Sequence, residues 1–121
     1  MAGVVAGVVL GAGAAALLRR VEVVGTSMQP ALRPGDRLLV VRSPAWWPLR
    51  VGGLVAVPDP REPGRLLVKR VEGIGPAGVD VRGDDPSRST DSRTFGPVPR
   101  SSVVGPALYR YAPPGRTGRL R

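Results

Sequence analysis

The chain has 121 residues, a formal net charge of +9, and neither histidine nor cysteine. A Ser-His-Asp triad, a Cys-His pair and a His/Cys zinc site are therefore impossible within it. The length suits one domain with a modest core, and 17 glycines and 14 prolines disfavour long helices. The arginines are scattered without interleaved aromatic residues, so we expect no nucleic-acid partner. A serine activated by a lysine, a carboxylate pair and a non-catalytic role remain open.

The chain begins with an apolar segment. Residues 1–18 contain no charged side chain and are followed by Arg19 and Arg20. As a helix, this segment would span about 27 Å, just under the hydrocarbon core of a bilayer at about 30 Å. Because the positive charge follows the apolar run instead of preceding it, we expect an uncleaved membrane anchor and not a secretory signal.

Short segments rich in β-branched residues follow the anchor, separated by Pro- and Gly-containing turns. The predicted strands cover residues 20–24, 36–42, 51–57, 66–74, 79–82 and 103–111. This pattern predicts an all-β domain over residues 19–111, built as an open barrel or sandwich of short strands. Residues 112–121 are rich in Pro, Gly and Arg, and we expect a basic disordered tail there.

One lysine, Lys69, stands among the 18 basic residues, inside the apolar run 66–71. It is the only nitrogen side chain of this protein that could lose its proton near neutral pH, because arginine cannot. An exposed lysine is neutral in roughly one molecule in 2,500 at pH 7, so a lysine base has to be buried among apolar groups. The alternative is an edge-strand lysine that blocks aggregation.

Two further segments carry polar side chains. Ser27 lies on a loop that follows the first predicted strand, and residues 83–98 form a dense polar run. Asp84, Asp85 and Asp91 of that run could form a carboxylate pair or a metal site. Aspartates that precede a proline more often form turns, so we expect no metal and no cofactor.

Together these segments resemble the signal peptidase I family of membrane-bound serine proteases, including its smaller bacterial and mitochondrial inner-membrane relatives. The matching patterns are GxSMxPxLxxGD at residues 25–36, VKRV at residues 68–71 and GDxxxxSxDSRxxGPV at residues 83–98. They occur in the order found in the family and cover most of residues 21–105. The resemblance implies a signal-peptidase-like fold.

The resemblance also implies a role for each matching residue. Ser27 would be the nucleophile, and Lys69 would be the general base that removes its proton. Ser89 would hydrogen-bond the lysine, and Asp91 and Arg93 would form an ion pair that braces the site.

Two features of the serine loop concern the substrate. By the same resemblance, Met28 would pack beneath the substrate and the backbone N–H of Ser27 would help to form the oxyanion hole. Related enzymes that add a hydroxyl donor have a serine two residues before the nucleophile, whereas this chain has Gly25. Water or backbone would have to replace that donor.

The function implied by the resemblance is that of a membrane-associated serine endopeptidase. It would bind an extended segment of a preprotein as an added strand and remove signal peptides after small residues. Its partners would be this peptide and membrane lipid. We expect a single-pass cell-membrane protein with an extracytoplasmic catalytic domain, although Arg19 and Arg20 favour the cytoplasmic side by the positive-inside rule.

Two alternatives remain. The polar run also resembles that of the maturation protease that trims the N-terminus of nickel-containing superoxide dismutase, a cytoplasmic task. The other alternative is a non-catalytic, membrane-tethered β module that binds acidic lipid or an extended peptide through its arginines.

Overall fold

The computed structural model describes residues 17–44, 47–62 and 64–120. Within these ranges the chain forms an antiparallel sheet of seven strands, so the predicted all-β class is confirmed. The strands are β1 (Leu18–Glu22), β2 (Arg37–Val41), β3 (Leu54–Pro58), β4 (Leu66–Gly75), β5 (Gly78–Arg82), β6 (Gly105–Ala112) and β7 (Gly118–Arg119). One short helix, α1 (Ser92–Phe95), lies between two 3₁₀ turns at Pro86–Arg88 and Arg100–Ser102.

The predicted anchor falls almost entirely outside the described residues. Of residues 1–18, only the last two are described, and Leu18 already begins β1. In the part of the chain that the structure describes, no helix has the length and apolar character needed to cross a membrane.

Strand β3 lies at the centre of the sheet and contributes to two cores. The strand order is β1-β2-β6-β3-β4-β5, with β7 paired to β6. The sequence Leu-Val-Ala-Val of β3 is buried at all four positions, as expected for a strand that is covered on both faces. One core contains Val23, Met28, Leu32, Leu38, Val40, Leu54, Ala56 and Ala107. The other contains Val55, Val57, Leu67, Val71, Val79, Val81, Val98 and Val103.

The two ends of the sheet lead into one cluster of loops. Strands β1 and β5 are farthest apart in the strand order, yet the loop after β1 contacts the loop after β5. The backbone N–H of Asp85 donates a hydrogen bond to the carbonyl of Ser27 at 2.8 Å. The sheet therefore curves enough to bring the serine loop against the polar run.

The C-terminal segment corrects the prediction of a disordered tail over residues 112–121. Ala112 ends β6, and β7 pairs with β6. Between these strands, Arg116 donates two hydrogen bonds to the carboxylate of Asp36, from Nε at 3.0 Å and Nη2 at 2.8 Å. Arg110 adds a third at 3.2 Å. Asp36 is 1% exposed, so this carboxylate needs the two arginines as partners, and the tail folds back to supply one.

Acid should weaken this contact. Burial alone would raise the pKa of Asp36, but the hydrogen bonds from Arg116 and the backbone of Arg33 lower it to about 2, from an ordinary value of 3.8. A carboxyl group whose pKa is lowered by folding stabilises the fold at pH values above its pKa in the unfolded chain. This stabilisation is lost as pH falls from about 4 to about 2. We expect Asp36→Asn to reduce the free energy of unfolding at pH 7 by about 1 to 2 kcal/mol, allowing for solvent screening.

Urea unfolding of the wild type and Asp36→Asn between pH 2 and pH 7 measures this contribution. The stability difference should shrink below pH 4. Asp80→Asn is the matched control, because Asp80 forms a more exposed ion pair with Arg82, and its effect should be much smaller. A difference for Asp36→Asn that stays constant down to pH 2 would contradict the assignment.

Candidate active site

Ser27 lies on the loop between β1 and β2, and two buried side chains fix this loop. Met28 and Leu32 are 2% and 0% exposed and belong to the first core. The N–H of Leu32 donates to the carbonyl of Met28 at 2.9 Å, so the two apolar side chains lie on a single turn. Ser27 precedes this turn immediately, and core packing therefore determines where its hydroxyl lies.

Lys69 lies on β4 in an apolar environment. Its neighbours on the same face of the strand are Leu67 and Val71, and Val55 of β3 stands directly opposite it. The residue is only 3% exposed. A lysine that protects a strand edge by holding its charge in solvent would be exposed, so this burial argues against the edge-strand alternative.

The amine of Lys69 contacts two hydroxyl groups. Its Nζ lies 2.8 Å from the Oγ of Ser27 and 3.0 Å from the Oγ of Ser89. The Ser89 hydroxyl donates to Oδ2 of Asp91 at 2.5 Å. Because the single proton of Ser89 is used in that bond, Ser89 can only accept from Lys69. A neutral amine held in this way has its lone pair available for the hydroxyl proton of Ser27.

Asp91 is completely buried and is held from several sides. Arg93 donates to it from Nη2 at 2.7 Å and from Nε at 3.1 Å, and the N–H of Gly83 donates at 2.8 Å. Burial alone would raise the pKa of Asp91, but the hydrogen bonds from Arg93 and Ser89 hold it well below its usual range. The carboxylate therefore stays ionised and keeps Ser89 oriented.

Burial and nearby charges both shift the pKa of Lys69. Burial lowers the pKa of Lys69 from its ordinary value, because the ammonium loses its water. The charge of Asp91 raises this pKa, whereas the charges of Arg61 and Arg93 lower it. The net effect is a lowered pKa, which is what a lysine base requires.

The other two aspartates of the polar run have separate structural roles. Asp84 forms a two-bonded ion pair with Arg70, at 2.8 and 2.9 Å. Asp85 accepts from the N–H and hydroxyl of Ser87 and caps the first 3₁₀ turn, as the turn prediction required. Among the described residues, no group of three or more acidic side chains is placed to hold a metal ion.

A cleft of about 280 Å³ opens beside the Ser27 and Lys69 side chains. One wall is formed by residues 21–25 of β1 and its loop, and the other by residues 66–69 of β4. Within the described ranges, β1 pairs only with β2, and β5 pairs with β4 only from Arg70 onwards. Both walls are therefore strand edges with unpaired backbone groups, and an extended peptide fits between them.

The lining of the cleft also includes Met28 and Leu32. The backbone N–H of Ser27 forms no hydrogen bond to any residue that the structure describes, so a substrate carbonyl can accept from it. The structure thus brings Ser27, Met28, Lys69, Ser89, Asp91 and Arg93 together.

Comparison with known proteins identifies the family of this chain. The family model described as "Signal peptidase, peptidase S26" matches residues 1–85. The chain belongs to this family. The "Mitochondrial ATP-independent inner membrane protease subunit 1a" of Arabidopsis thaliana is 36% identical over 87% of this chain and 77% of its own length.

Two other relatives represent different branches of the family. The "Mitochondrial inner membrane protease subunit 2" of Saccharomyces cerevisiae is 29% identical over 80% of this chain and 70% of its own length. The "Probable signal peptidase I-1" of Synechocystis is 25% identical over 78% of this chain and 71% of its own length. This chain is similar to both the mitochondrial and the bacterial types.

Gly83 supports the site but was not among the predicted site residues. A Cβ at this position would lie 2.5 Å from the Cβ of Ser89 and 2.7 Å from the carbonyl oxygen of Ser27. Only glycine lets the backbone approach both residues while its N–H reaches Asp91. The glycine in the sequence pattern was the signal, but its role depends on contacts with Ser89 of the same polar run and with the loop that carries Ser27.

We expect Gly83→Ala to displace Ser89 or Ser27 and to lower the free energy of unfolding by about 1 to 3 kcal/mol. Thermal and urea unfolding measure the change. Gly75→Ala is the matched control, because a Cβ there has no neighbour within 4 Å. Equal stability of the two variants would show that the close approach at Gly83 is not a constraint.

Proposed function

We propose that this protein is a membrane-associated serine endopeptidase in which Ser27 is the nucleophile and Lys69 is the general base. The supporting observation is the 2.8 Å separation of Nζ and Oγ at an amine that is only 3% exposed. A serine hydroxyl needs a base within hydrogen-bond reach, and the chain has no histidine to serve as one. Family membership supports the same assignment.

The geometry supports a two-step hydrolysis. Neutral Lys69 takes the hydroxyl proton of Ser27 while Oγ attacks the scissile carbonyl, and the N–H of Ser27 stabilises the oxyanion. The lysine then returns the proton to the leaving amine, which gives an acyl-enzyme. A water molecule transfers its proton to Lys69 and attacks the ester, and this proton returns to Ser27 as the acid product leaves.

The proposed substrate is an extended segment of a secretory preprotein, cleaved to remove its signal peptide. Two strand edges on either side of the cleft suit such a segment, because each can hydrogen-bond to its backbone. The buried side chains of Met28 and Leu32 line the cleft beside Ser27, and this apolar lining supports small apolar side chains next to the scissile bond. A relative named as a signal peptidase and relatives named as inner membrane proteases support this class and a location at the membrane.

Cleavage of a purified preprotein is the direct test. We expect Ser27→Ala and Lys69→Ala each to reduce kcat/KM by at least about 10³-fold. Lys69→Arg should be equally inactive, because it keeps the charge but cannot lose the proton. Ser101→Ala is the control, since Ser101 is an exposed serine of the second 3₁₀ turn. It should cleave like the wild type.

Two substrates should be tested in parallel. One is a preprotein bearing a signal peptide, and the other is a nickel-containing superoxide dismutase with an N-terminal extension. Cleavage of the preprotein alone supports signal-peptide removal, and cleavage of the dismutase alone replaces it with the maturation role. If neither substrate is cut by a folded wild type, or if the variants match the wild type, the non-catalytic module becomes the better explanation.

The activity should rise with pH. Below the pKa of Lys69 the amine is protonated and cannot accept the serine proton, so kcat/KM should increase about tenfold per pH unit. Since burial lowers the pKa of Lys69, the rise in kcat/KM should level off at a pH below 10.5, which is the ordinary pKa of a lysine. Steady-state rates between pH 5 and pH 10, on a peptide without titratable groups, measure this profile. A flat profile would exclude Lys69 as the base.

A further inference from the structure

The lining of the cleft is rich in arginine. Arg61, Arg65 and Arg88 line it together with the residues of its two walls. Glu22 is the only carboxylate among the described residues that line the cleft. The Oε1 atom of Glu22 lies 3.9 Å from Nε of Arg37, a residue that does not line the cleft. The positive charge of Arg37 partly offsets the negative charge of Glu22. A peptide in the cleft therefore meets mainly guanidinium groups at its charged contacts.

Two of these arginines are held in place by one buried aspartate. Asp59, which is 4% exposed, accepts from Nε of Arg61 at 3.0 Å and from Nη2 at 3.1 Å. Arg65 lies 3.8 Å from the same carboxylate and 3.6 Å from Glu62. Burial alone would raise the pKa of Asp59, but the hydrogen bonds from Arg61 hold it below its ordinary value. The carboxylate of Asp59 therefore stays ionised at neutral pH.

The arginines nevertheless remain accessible. Their side chains are 50% exposed at Arg61 and 46% exposed at Arg65. A guanidinium has five N–H donors, and Asp59 occupies only one side of Arg61. Neither Asp59 nor Glu62 lines the cleft, so the carboxylates that hold these arginines lie away from the peptide. Arg61 and Arg65, both held by Asp59, thus belong to the lining of the cleft and keep guanidinium surface for a bound peptide.

The position of Arg65 along β4 gives the register. Arg65 immediately precedes β4 and lies four residues before Lys69. At about 3.3 Å per residue, this corresponds to about 13 Å along the cleft, or about four residues of an extended peptide. We propose that Arg65 makes the cleft select peptides with an Asp or Glu side chain about four residues from the scissile bond. This inference rests on the proposed peptidase function and names a feature of its substrates.

Binding and cleavage test this selectivity separately. The probes are extended decapeptides with alanine at the first and third positions before the bond. One set carries Asp, Asn or Lys four residues before the bond, and a second set carries them four residues after it. Fluorescence anisotropy with Ser27→Ala gives the dissociation constants, and wild-type kinetics give kcat/KM.

We expect the Asp peptide of one set to bind about fivefold more tightly than its Asn counterpart, and the Lys peptide to bind more weakly than both. In 0.5 M NaCl the ratios should approach one, because exposed charges are screened. Arg65→Glu should invert the order, and Arg65→Gln, which introduces no new charge, should reduce the Asp preference. Arg119→Glu makes the same charge change on β7, outside the cleft lining, and should leave the ratios unchanged.

The outcomes separate the two proposals. Two results would overturn the selectivity. In the first, the Asp, Asn and Lys peptides bind equally in both sets. In the second, Arg65→Glu and Arg119→Glu change the preference equally. Preferential binding of an Asp peptide that depends on Arg65 supports the selectivity, even if the wild type cuts none of the peptides. If the folded wild type also leaves both protein substrates uncut, the peptidase function fails and the recognition of acidic peptides stands.

Discussion

The buried amine of Lys69 is the constraint on which the site depends. Each unit by which burial lowers a lysine pKa costs about 1.4 kcal/mol, which the packing of the sheet has to offset. The structure limits this cost by placing two hydroxyl oxygens within 3.0 Å of Nζ, so the amine loses water but keeps hydrogen bonds. Leu67, Lys69 and Val71 are buried on the same face of β4, and this packed face keeps water from the amine.

The curvature of the sheet follows from the same need. Ser27 and Ser89 reach Lys69 from loops that follow strands at opposite ends of the strand order. These loops are joined directly, since the N–H of Asp85 donates to the carbonyl of Ser27. Gly83 lets the two backbones approach. On the other side, Asp36 ends the serine loop and is held by arginines from the C-terminal part of the chain. The nucleophile is thus positioned from three parts of the sequence.

Local sequence patterns predicted the strands better than the contacts between them. The strand predicted at residues 66–74 corresponds to β4, because β-branched and apolar residues favour a strand locally. The meeting of Ser27 with Lys69 joins residues 42 positions apart, and only the family resemblance predicted it. Strand β7 was missed because its segment has the composition of a disordered tail. Its order depends on the Arg116 contact with Asp36, 80 positions away, which composition does not encode.

The pairing of Asp91 with Arg93 resolves a conflict within the site. Ser89 needs an anion to fix the direction of its hydroxyl, yet an anion near Lys69 stabilises the ammonium and raises the lysine pKa. Arg93 binds both oxygens of Asp91 and by its own charge lowers the pKa of Lys69. The carboxylate can therefore orient Ser89 while the charge of Arg93 opposes its effect on the pKa of Lys69. An unpaired aspartate in this position would favour the protonated lysine, which cannot act as a base.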